Sequence, residues 1–226
     1  MAPLPEINPI ERIQENVLAR SERRLLTWLC ARMPAWVFPD LLSSIGMAGA
    51  VLILAGYAGS NWSPDWLWLC VVGFALHWFG DSLDGSLARF RKIERPRYGY
   101  FLDHSADALG TTMIVGGIGL SPYLSLESAL LALVGYLMMS IHAFLSVRVF
   151  AELRLSYLAL GPTEIRVILV ALTMVMYFAG PGEPLYGSFN GYDLFAFAAA
   201  ALMIALFIVQ TVQKGRVLAR EEPPRR

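Results

Sequence analysis

Six apolar stretches constrain the fold of this 226-residue chain more than any other feature of its sequence. Four are near the roughly 20 residues that a helix needs to cross a bilayer. Two shorter ones become full spans only if their helices continue through the polar segment between them, as about 66–90 and 99–120. The pattern predicts an all-α integral membrane protein with six transmembrane helices, in keeping with a chain that is 56% hydrophobic and 16% charged. The stretches are residues 39–58, 66–80, 108–120, 124–147, 165–180 and 192–212.

The basic residues support this count and orient the protein. All 18 Lys and Arg lie in four segments, and the three loops between those segments contain acidic residues but no basic ones. Because basic residues concentrate on the cytoplasmic side, we expect an even number of spans and both termini in the cytoplasm. The basic segments are 12–32, 89–97, 148–166 and 214–226.

The N-terminal segment has helical amphipathic spacing. Over residues 7–33, apolar residues such as Leu26 and Leu29 share one side, while Arg20 and Arg23 lie away from it. Such a helix lies at the cytoplasmic membrane interface or packs on the rest of the domain. We therefore divide the chain into a cytoplasmic or interfacial segment (1–34), a six-helix transmembrane domain (35–213) and a mobile cytoplasmic tail (214–226).

Four carboxylates stand out in the otherwise apolar region 80–110. At about 100° per residue, Asp81, Asp84, Gly85 and Ala88 fall within a narrow arc of one helix. The next helix carries Gly99, Asp103 and Asp107 at spacings of four residues, again on one face. Two neighbouring antiparallel helices can therefore point four carboxylates at one space.

Four ionised carboxylates near a membrane repel one another and are costly to desolvate. Protonation relieves this repulsion, and so do cations. All-oxygen ligands suit Mg²⁺, Mn²⁺ or Ca²⁺ rather than zinc. Two divalent ions would balance four negative charges and leave a site for phosphate oxygens, with Arg89 one turn beyond Gly85 as a further phosphate ligand. His77, one turn before Asp81, is either a second layer to this site or an interhelical histidine.

The spacing Asp81-x-x-Asp84-Gly85-x-x-Ala88-Arg89, then nine residues, then Gly99-x-x-x-Asp103-x-x-x-Asp107, resembles the motif of the CDP-alcohol phosphotransferases. The resemblance covers about 27 residues and, through the six-helix layout, most of the chain more loosely. It implies an enzyme of phospholipid synthesis that transfers a phospho-alcohol group from a CDP-alcohol to an acceptor hydroxyl and releases CMP. It also implies two bound Mg²⁺ or Mn²⁺ ions and a homodimer.

The resemblance assigns roles to individual residues. Asp107 is the general base, a metal ligand or both, and the metals are held by Asp81, Asp84 and Asp103 together with it. Gly85 and Ala88 line the cytidine pocket, Arg89 meets the diphosphate and Gly99 allows close helix approach. Pro39-Asp40-x-x-Ser43 resembles a Pro-Asn-x-x-Thr stretch of the family, so Asp40 and Ser43 bind the nucleotide or simply cap the helix.

Two features disagree on the substrate. His104 directly follows Asp103, which is similar to the branch that uses CDP-choline or CDP-ethanolamine and a lipid hydroxyl; there a histidine assists deprotonation. The short six-helix chain instead resembles the branch that uses CDP-diacylglycerol and a small polar acceptor. We favour CDP-diacylglycerol, and then Arg148 and Arg166 are candidates for binding an acceptor phosphate, although the positive-inside rule explains them equally well.

The expected partners are the CDP-alcohol donor and the lipid bilayer, with no nucleic acid. We expect a multi-pass protein of a bacterial or archaeal cell (inner) membrane whose active site faces the cytoplasm. A function of another class, divalent-cation transport, also explains aspartates inside a membrane. The Gly-Ala-Arg pattern and the basic residues on one side argue against it.

Overall fold

The computed structural model describes residues 11–13, 18–150, 152–154 and 161–222, and in these ranges it is almost entirely helical. Two three-residue strands, β1 (Glu11–Ile13) and β2 (Glu152–Arg154), pair in parallel with Glu11 opposite Glu152. The helices are α1 (Ala19–Arg32), α2 (Pro39–Gly59), α3 (Leu67–Arg91), α4 (Pro96–Gly119), α5 (Leu126–Phe150), α6 (Pro162–Ala179) and α7 (Gly191–Glu221), and the strands are Glu11–Ile13 and Glu152–Arg154.

Five helical segments are long and apolar enough to cross a membrane, judged by length and composition over the described residues. They are Pro39–Gly59, Pro64–Arg91, Leu126–Phe150, Pro162–Ala179 and Gly191–Glu221. The sixth predicted span is α4, which has 24 residues but carries Asp103, His104 and Asp107 among its apolar residues. The count of six therefore stays a prediction that depends on α4.

The N-terminal segment differs from the helix expected over residues 7–33. Glu11–Ile13 form a strand, and the helix begins only at Ala19. Leu26 and Leu29 pack against a buried cluster that contains Leu83 and Leu87 of α3. One part of the amphipathic face thus lies on the domain, while Trp28 of the same helix is 51% exposed.

The C-terminal segment is helical over most of its length. The helix α7 continues to Glu221, and the mobility expected of residues 214–226 stays a prediction. The residues from Arg216 to Glu221 include Leu218, Ala219 and Arg220, which are good helix formers, and Pro223 is the first proline after them.

Prolines and one left-handed residue set several of the helix boundaries. Pro39, Pro96 and Pro162 each stand in the first turn of a helix, where the missing N–H costs nothing. Lys92 adopts the left-handed conformation (φ 57°) and ends α3. The short link to Pro96 then returns the chain as α4, so the two motif helices are neighbours in sequence.

Glycines bring α2 and α3 into close contact. A Cβ at Gly49 would lie 2.5 Å from the backbone nitrogen of His77, and one at Gly80 would overlap the backbone of Gly46. Real side chains do not tolerate such distances, so these positions require glycine. The close approach lets Ser43 of α2 reach the Asp84 carboxylate of α3.

Candidate active site and metal centre

Three of the four motif aspartates form one compact group. One carboxylate oxygen from each of Asp81, Asp103 and Asp107 lies within 4.8 Å of the others. Asp81 comes from α3, while Asp103 and Asp107 stand one turn apart on α4. The helical spacing therefore brings these side chains together as the sequence predicted.

Asp84 lies on the wall of the same site. It accepts a hydrogen bond of 2.5 Å from the Ser43 hydroxyl of α2 and one from the Gly85 backbone N–H. All four aspartates line a cavity of about 280 Å³, a volume that includes the part open to solvent. The cavity is completed by residues from α2, α3 and α4, namely Ser43, Gly46, Met47, His77 and Ala106.

The donor set fits a hard divalent cation. Carboxylate oxygens at this spacing repel one another unless a proton or a cation lies between them, and oxygen ligands are those preferred by Mg²⁺, Mn²⁺ and Ca²⁺. Arg166 of α6 pairs with Asp81 and supplies one positive charge to the group. The pair with Arg166 involves Asp81, and the oxygens of Asp103 and Asp107 stay within reach of the same point, so the three side chains could together hold a cation.

The two candidate acceptor arginines lie in different surroundings. Arg166 reaches the acidic group, and its side chain is only 12% exposed. Arg148 is exposed near the end of α5 and does not line the cavity. The structure therefore brings Arg166, and not Arg148, to the motif aspartates.

The candidate nucleotide-binding residues differ in whether they line the cavity. Ser43 lines the cavity, whereas Asp40 pairs with Arg95 in the link between α3 and α4. Arg89 is exposed, and its Nη1 atom would lie 3.3 Å from a Cβ added at Gly85. The guanidinium of Arg89 thus lies next to Gly85, and a side chain at position 85 would crowd it.

Two predicted residues differ from the expected arrangement. A Cβ at Gly99 would meet no atom of the described residues within 4 Å, so the close helix approach expected there is wrong for this chain by itself. Ala88 is half-buried on the same helix as Gly85 and does not line the cavity.

His104 packs among aromatic rings rather than in the cavity. Its ring centre lies 4.2 Å from that of Tyr100 and 4.9 Å from that of Phe144. Its Nδ1 atom is 3.2 Å from a carboxylate oxygen of Asp103. Neither ring nitrogen has a hydrogen-bond partner among the described residues, and His104 does not line the cavity.

One residue at the site was only loosely assigned from the sequence. His77 lines the cavity with only 8% of its surface exposed, and its position one turn before Asp81 was the available signal.

Comparisons with known proteins identify the family. The profile of the CDP-alcohol phosphatidyltransferase family matches residues 36–213. Cholinephosphotransferase 1 of Mus musculus is 27% identical over 160 residues, which is 68% of this chain and 40% of that protein. The Homo sapiens protein of the same name is 25% identical over 160 residues, 68% of this chain and 39% of that protein.

A bacterial relative matches a shorter region more closely. Phosphatidylinositol phosphate synthase of Cutibacterium acnes is 38% identical over 91 residues, 40% of this chain and 41% of that protein. The chain thus spans about 40% of the length of these curated relatives. Because the family profile covers most of the chain, and the acidic group lies where the motif predicts it, the chain belongs to the CDP-alcohol phosphatidyltransferase family.

Proposed function

We propose that the chain is a membrane enzyme of phospholipid synthesis that transfers a phospho-alcohol group from a CDP-alcohol to an acceptor hydroxyl. The single observation that supports this most is the group of three carboxylates within 4.8 Å, next to the half-buried Asp84. Such a group binds divalent cations, and a CDP-alcohol offers a diphosphate whose charge requires them.

Each motif residue has a part in the proposed reaction. Asp81, Asp84, Asp103 and Asp107 would hold two Mg²⁺ or Mn²⁺ ions. Bound divalent ions neutralise the diphosphate and stabilise charge that develops during transfer. Arg89, exposed at the end of α3, binds diphosphate oxygens, and Ser43 keeps Asp84 oriented through its hydrogen bond.

The covalent step needs a base on the acceptor side. The acceptor oxygen attacks the phosphorus that carries the alcohol group, and the bond to the CMP oxygen breaks with its electron pair leaving on CMP. Asp107 takes the proton of the acceptor hydroxyl. Its half-buried position beside Asp81 and Asp103 keeps it close to the reacting phosphate.

We favour CDP-diacylglycerol as donor, with a small acceptor that carries a phosphate. Arg166 supports this choice because its guanidinium lies at the acidic group, where it can pair with an acceptor phosphate. The printed name of the Cutibacterium acnes relative refers to a phosphatidylinositol phosphate product. A small acceptor brought to Arg166 would lie next to Asp107.

The second candidate is transfer from CDP-choline or CDP-ethanolamine to a lipid hydroxyl. It is favoured by the cholinephosphotransferase relatives, which match 68% of this chain. Against it, His104 packs between Tyr100 and Phe144 rather than in the cavity. The membrane layout is the same for both candidates: six spans including α4, a site that faces the cytoplasm, and a homodimer.

The deciding experiment measures CMP release by the full chain in lipid nanodiscs. One reaction contains labelled CDP-diacylglycerol with glycerol phosphate, inositol phosphate or serine, and the other contains CDP-choline or CDP-ethanolamine with diacylglycerol. We expect turnover with CDP-diacylglycerol and a phosphorylated acceptor. CMP release only in the second reaction would select the other branch. Divalent-cation flux into proteoliposomes without nucleotide, and no CMP release, would contradict both.

A further inference from the structure

One carboxylate of α1 connects the two transmembrane helices that carry Asp81 and Arg166. The Oε1 atom of Glu22 accepts hydrogen bonds from the Trp78 indole N–H (2.9 Å) and the Thr163 hydroxyl (2.5 Å), and a longer one from the Ser82 hydroxyl (3.4 Å). Trp78 and Ser82 belong to α3, and Thr163 belongs to the first turn of α6. Glu22 therefore lies on the seam between these two helices.

A second contact fastens the same end of α1 to α6. The backbone N–H of Leu18, which precedes the helix, donates to Glu164 Oε1 at 2.8 Å. The other oxygen of Glu164 accepts from the Gly161 backbone N–H at 3.0 Å and so closes the first turn of α6. The start of α1 and the start of α6 thus hold each other through two carboxylates, Glu22 and Glu164.

The Glu22 contacts adjoin the acidic group. On α3, Asp81 follows Trp78 by three residues and precedes Ser82 by one, so around the helix it lies about 60° from Trp78 and about 100° from Ser82. On α6, Arg166 follows Thr163 by three residues and is also about 60° away. The ion pair between Arg166 and Asp81 therefore crosses the seam beside the place where Glu22 bridges it.

We propose that Glu22 is a positioning residue of the active site. It holds α3 and α6 at the register in which Arg166 reaches Asp81, so that α1 belongs to the catalytic unit as well as to the membrane surface. The inference rests on the proposed function for its effect on turnover. Its effect on metal affinity rests only on the acidic group.

Apolar contacts attach α1 to the domain independently of Glu22, so the positioning role of Glu22 can be tested apart from attachment of the helix. Leu26 and Leu29, in the second half of α1, pack with Leu83 and Leu87 of α3. These contacts do not involve Glu22, so α1 stays attached when the carboxylate is removed. What is lost is the acceptor for two α3 donors and one α6 donor, and with it the fixed relation between Asp81 and Arg166.

The direct test compares two substitutions of Glu22 in the full chain in nanodiscs. Glu22→Leu keeps the size and removes every acceptor, whereas Glu22→Gln keeps one carbonyl oxygen. We expect Glu22→Leu to weaken Mn²⁺ binding, measured by electron paramagnetic resonance, about tenfold, the low end for groups that orient metal ligands. Glu22→Gln should lie between it and the unsubstituted protein, and the kcat of CMP release should fall in the same order.

Control variants distinguish positioning from general loosening of α1. Leu26→Ala weakens the apolar contact and should lower the unfolding temperature while Mn²⁺ affinity is retained. Thr27→Val changes an exposed residue of α1 whose hydroxyl bonds only within its own helix, to the Arg23 carbonyl. It should change neither property. An equal loss of Mn²⁺ affinity in Leu26→Ala and Glu22→Leu would overturn the proposal.

Single-donor variants cover the case in which Glu22→Leu does not fold. Trp78→Phe and Thr163→Val each remove one hydrogen bond to Glu22 and leave the carboxylate in place. Each should weaken Mn²⁺ binding by a smaller factor than the loss of Glu22. Unchanged Mn²⁺ affinity in both folded variants would overturn the proposal.

The two readouts keep this inference distinct from the proposed function. If the unsubstituted protein binds Mn²⁺ but releases CMP from neither donor, the proposed function fails while the Mn²⁺ series still decides the role of Glu22. If the unsubstituted protein binds no Mn²⁺, the positioning proposal fails as well.

Discussion

Two sets of carboxylates in this protein have opposite surroundings: Asp193 by itself, and the acidic group of Asp81, Asp103 and Asp107. At the start of α7, the carboxylate of Asp193 is buried and accepts hydrogen bonds from the Ser125 backbone N–H (2.8 Å), the Asn190 backbone N–H (2.9 Å) and the Ser128 hydroxyl. In the acidic group, the carboxylates of Asp81, Asp103 and Asp107 face one another within 4.8 Å.

The difference separates a structural acid from a binding site. Asp193 is only 2% exposed, and neutral donors of the protein satisfy it, as expected of a buried charge that serves the fold. It fixes the start of α7 to the start of α5. In the acidic group Arg166 pairs with Asp81, and the three carboxylates lie against one another. Under the proposed function a divalent cation completes this group, since it has the charge and the preference for oxygen ligands.

Removal of divalent ions should have the largest effect, and it should affect the function of the acidic group far more than the structural role of Asp193. We expect EDTA to reduce CMP release to the background rate, because no side chain replaces the charge that the ions supply. Mg²⁺ or Mn²⁺ should restore it. Asp193 needs no ion, so the unfolding temperature should fall far less than the activity. Full activity after thorough chelation would remove the metal from the proposed mechanism.

Asp107→Asn should have the next largest effect. The amide has nearly the shape of the carboxylate but does not take a proton, so turnover should fall by about 10²–10⁴-fold, the usual contribution of a general base. CMP release under saturating substrate measures this loss. Repulsion within the group is also reduced, so the unfolding temperature should be equal or higher. Turnover at the unsubstituted rate would remove Asp107 as the base.

The sequence predicted the acidic group because helical periodicity decides which residues share a face. Asp81 and Asp84 on one helix, and Asp103 and Asp107 on the next, needed only a short link to meet. Periodicity does not identify which neighbour packs on a given face. The bonds from Glu22 to Trp78 and Thr163 join positions 56 and 141 residues apart, and nothing in the local pattern indicates them.

The fold departs from the prediction for the same reason: local sequence patterns do not show which distant segments come into contact. The pairing of Glu11–Ile13 with Glu152–Arg154 brings distant segments together, whereas the spacing of apolar residues over 7–33 indicated only a helix. Arg166 was a candidate equally explained by charge asymmetry, and only the fold brings it to Asp81. Gly99 was assigned from the motif alone, and the described residues leave its surroundings open.

His77 offers a sharper test of what supports the acidic group. Its imidazole lines the cavity, and a Cβ at Gly110 of α4 would lie 3.1 Å from its Nε2 atom. We expect His77→Leu to weaken Mn²⁺ binding up to about tenfold, because residues around a metal site orient its ligands. His77→Gln, which keeps polar atoms, should recover part of the affinity.

The matched control for His77 is another buried histidine. His142 of α5 is 6% exposed, and its Nδ1 atom lies 3.3 Å from the Thr211 hydroxyl of α7, away from the cavity. His142→Leu should leave Mn²⁺ affinity unchanged. Equal effects of the two leucine variants on Mn²⁺ binding would show that His77 acts only through helix packing.

The smallest expected effect on turnover is that of Asp193→Asn, and it completes the comparison. An asparagine has one acceptor oxygen and presents an NH₂ group to donors, so at least one N–H or hydroxyl loses its partner. Each buried donor left unpaired costs about 1–3 kcal/mol, so the free energy of unfolding should fall by about that amount. Asp193 does not line the cavity, and kcat for CMP release, measured below the unfolding transition, should stay within about twofold. A large loss of kcat in the folded protein would mean that the start of α7 is coupled to the acidic group, and that the two sets of carboxylates are not independent.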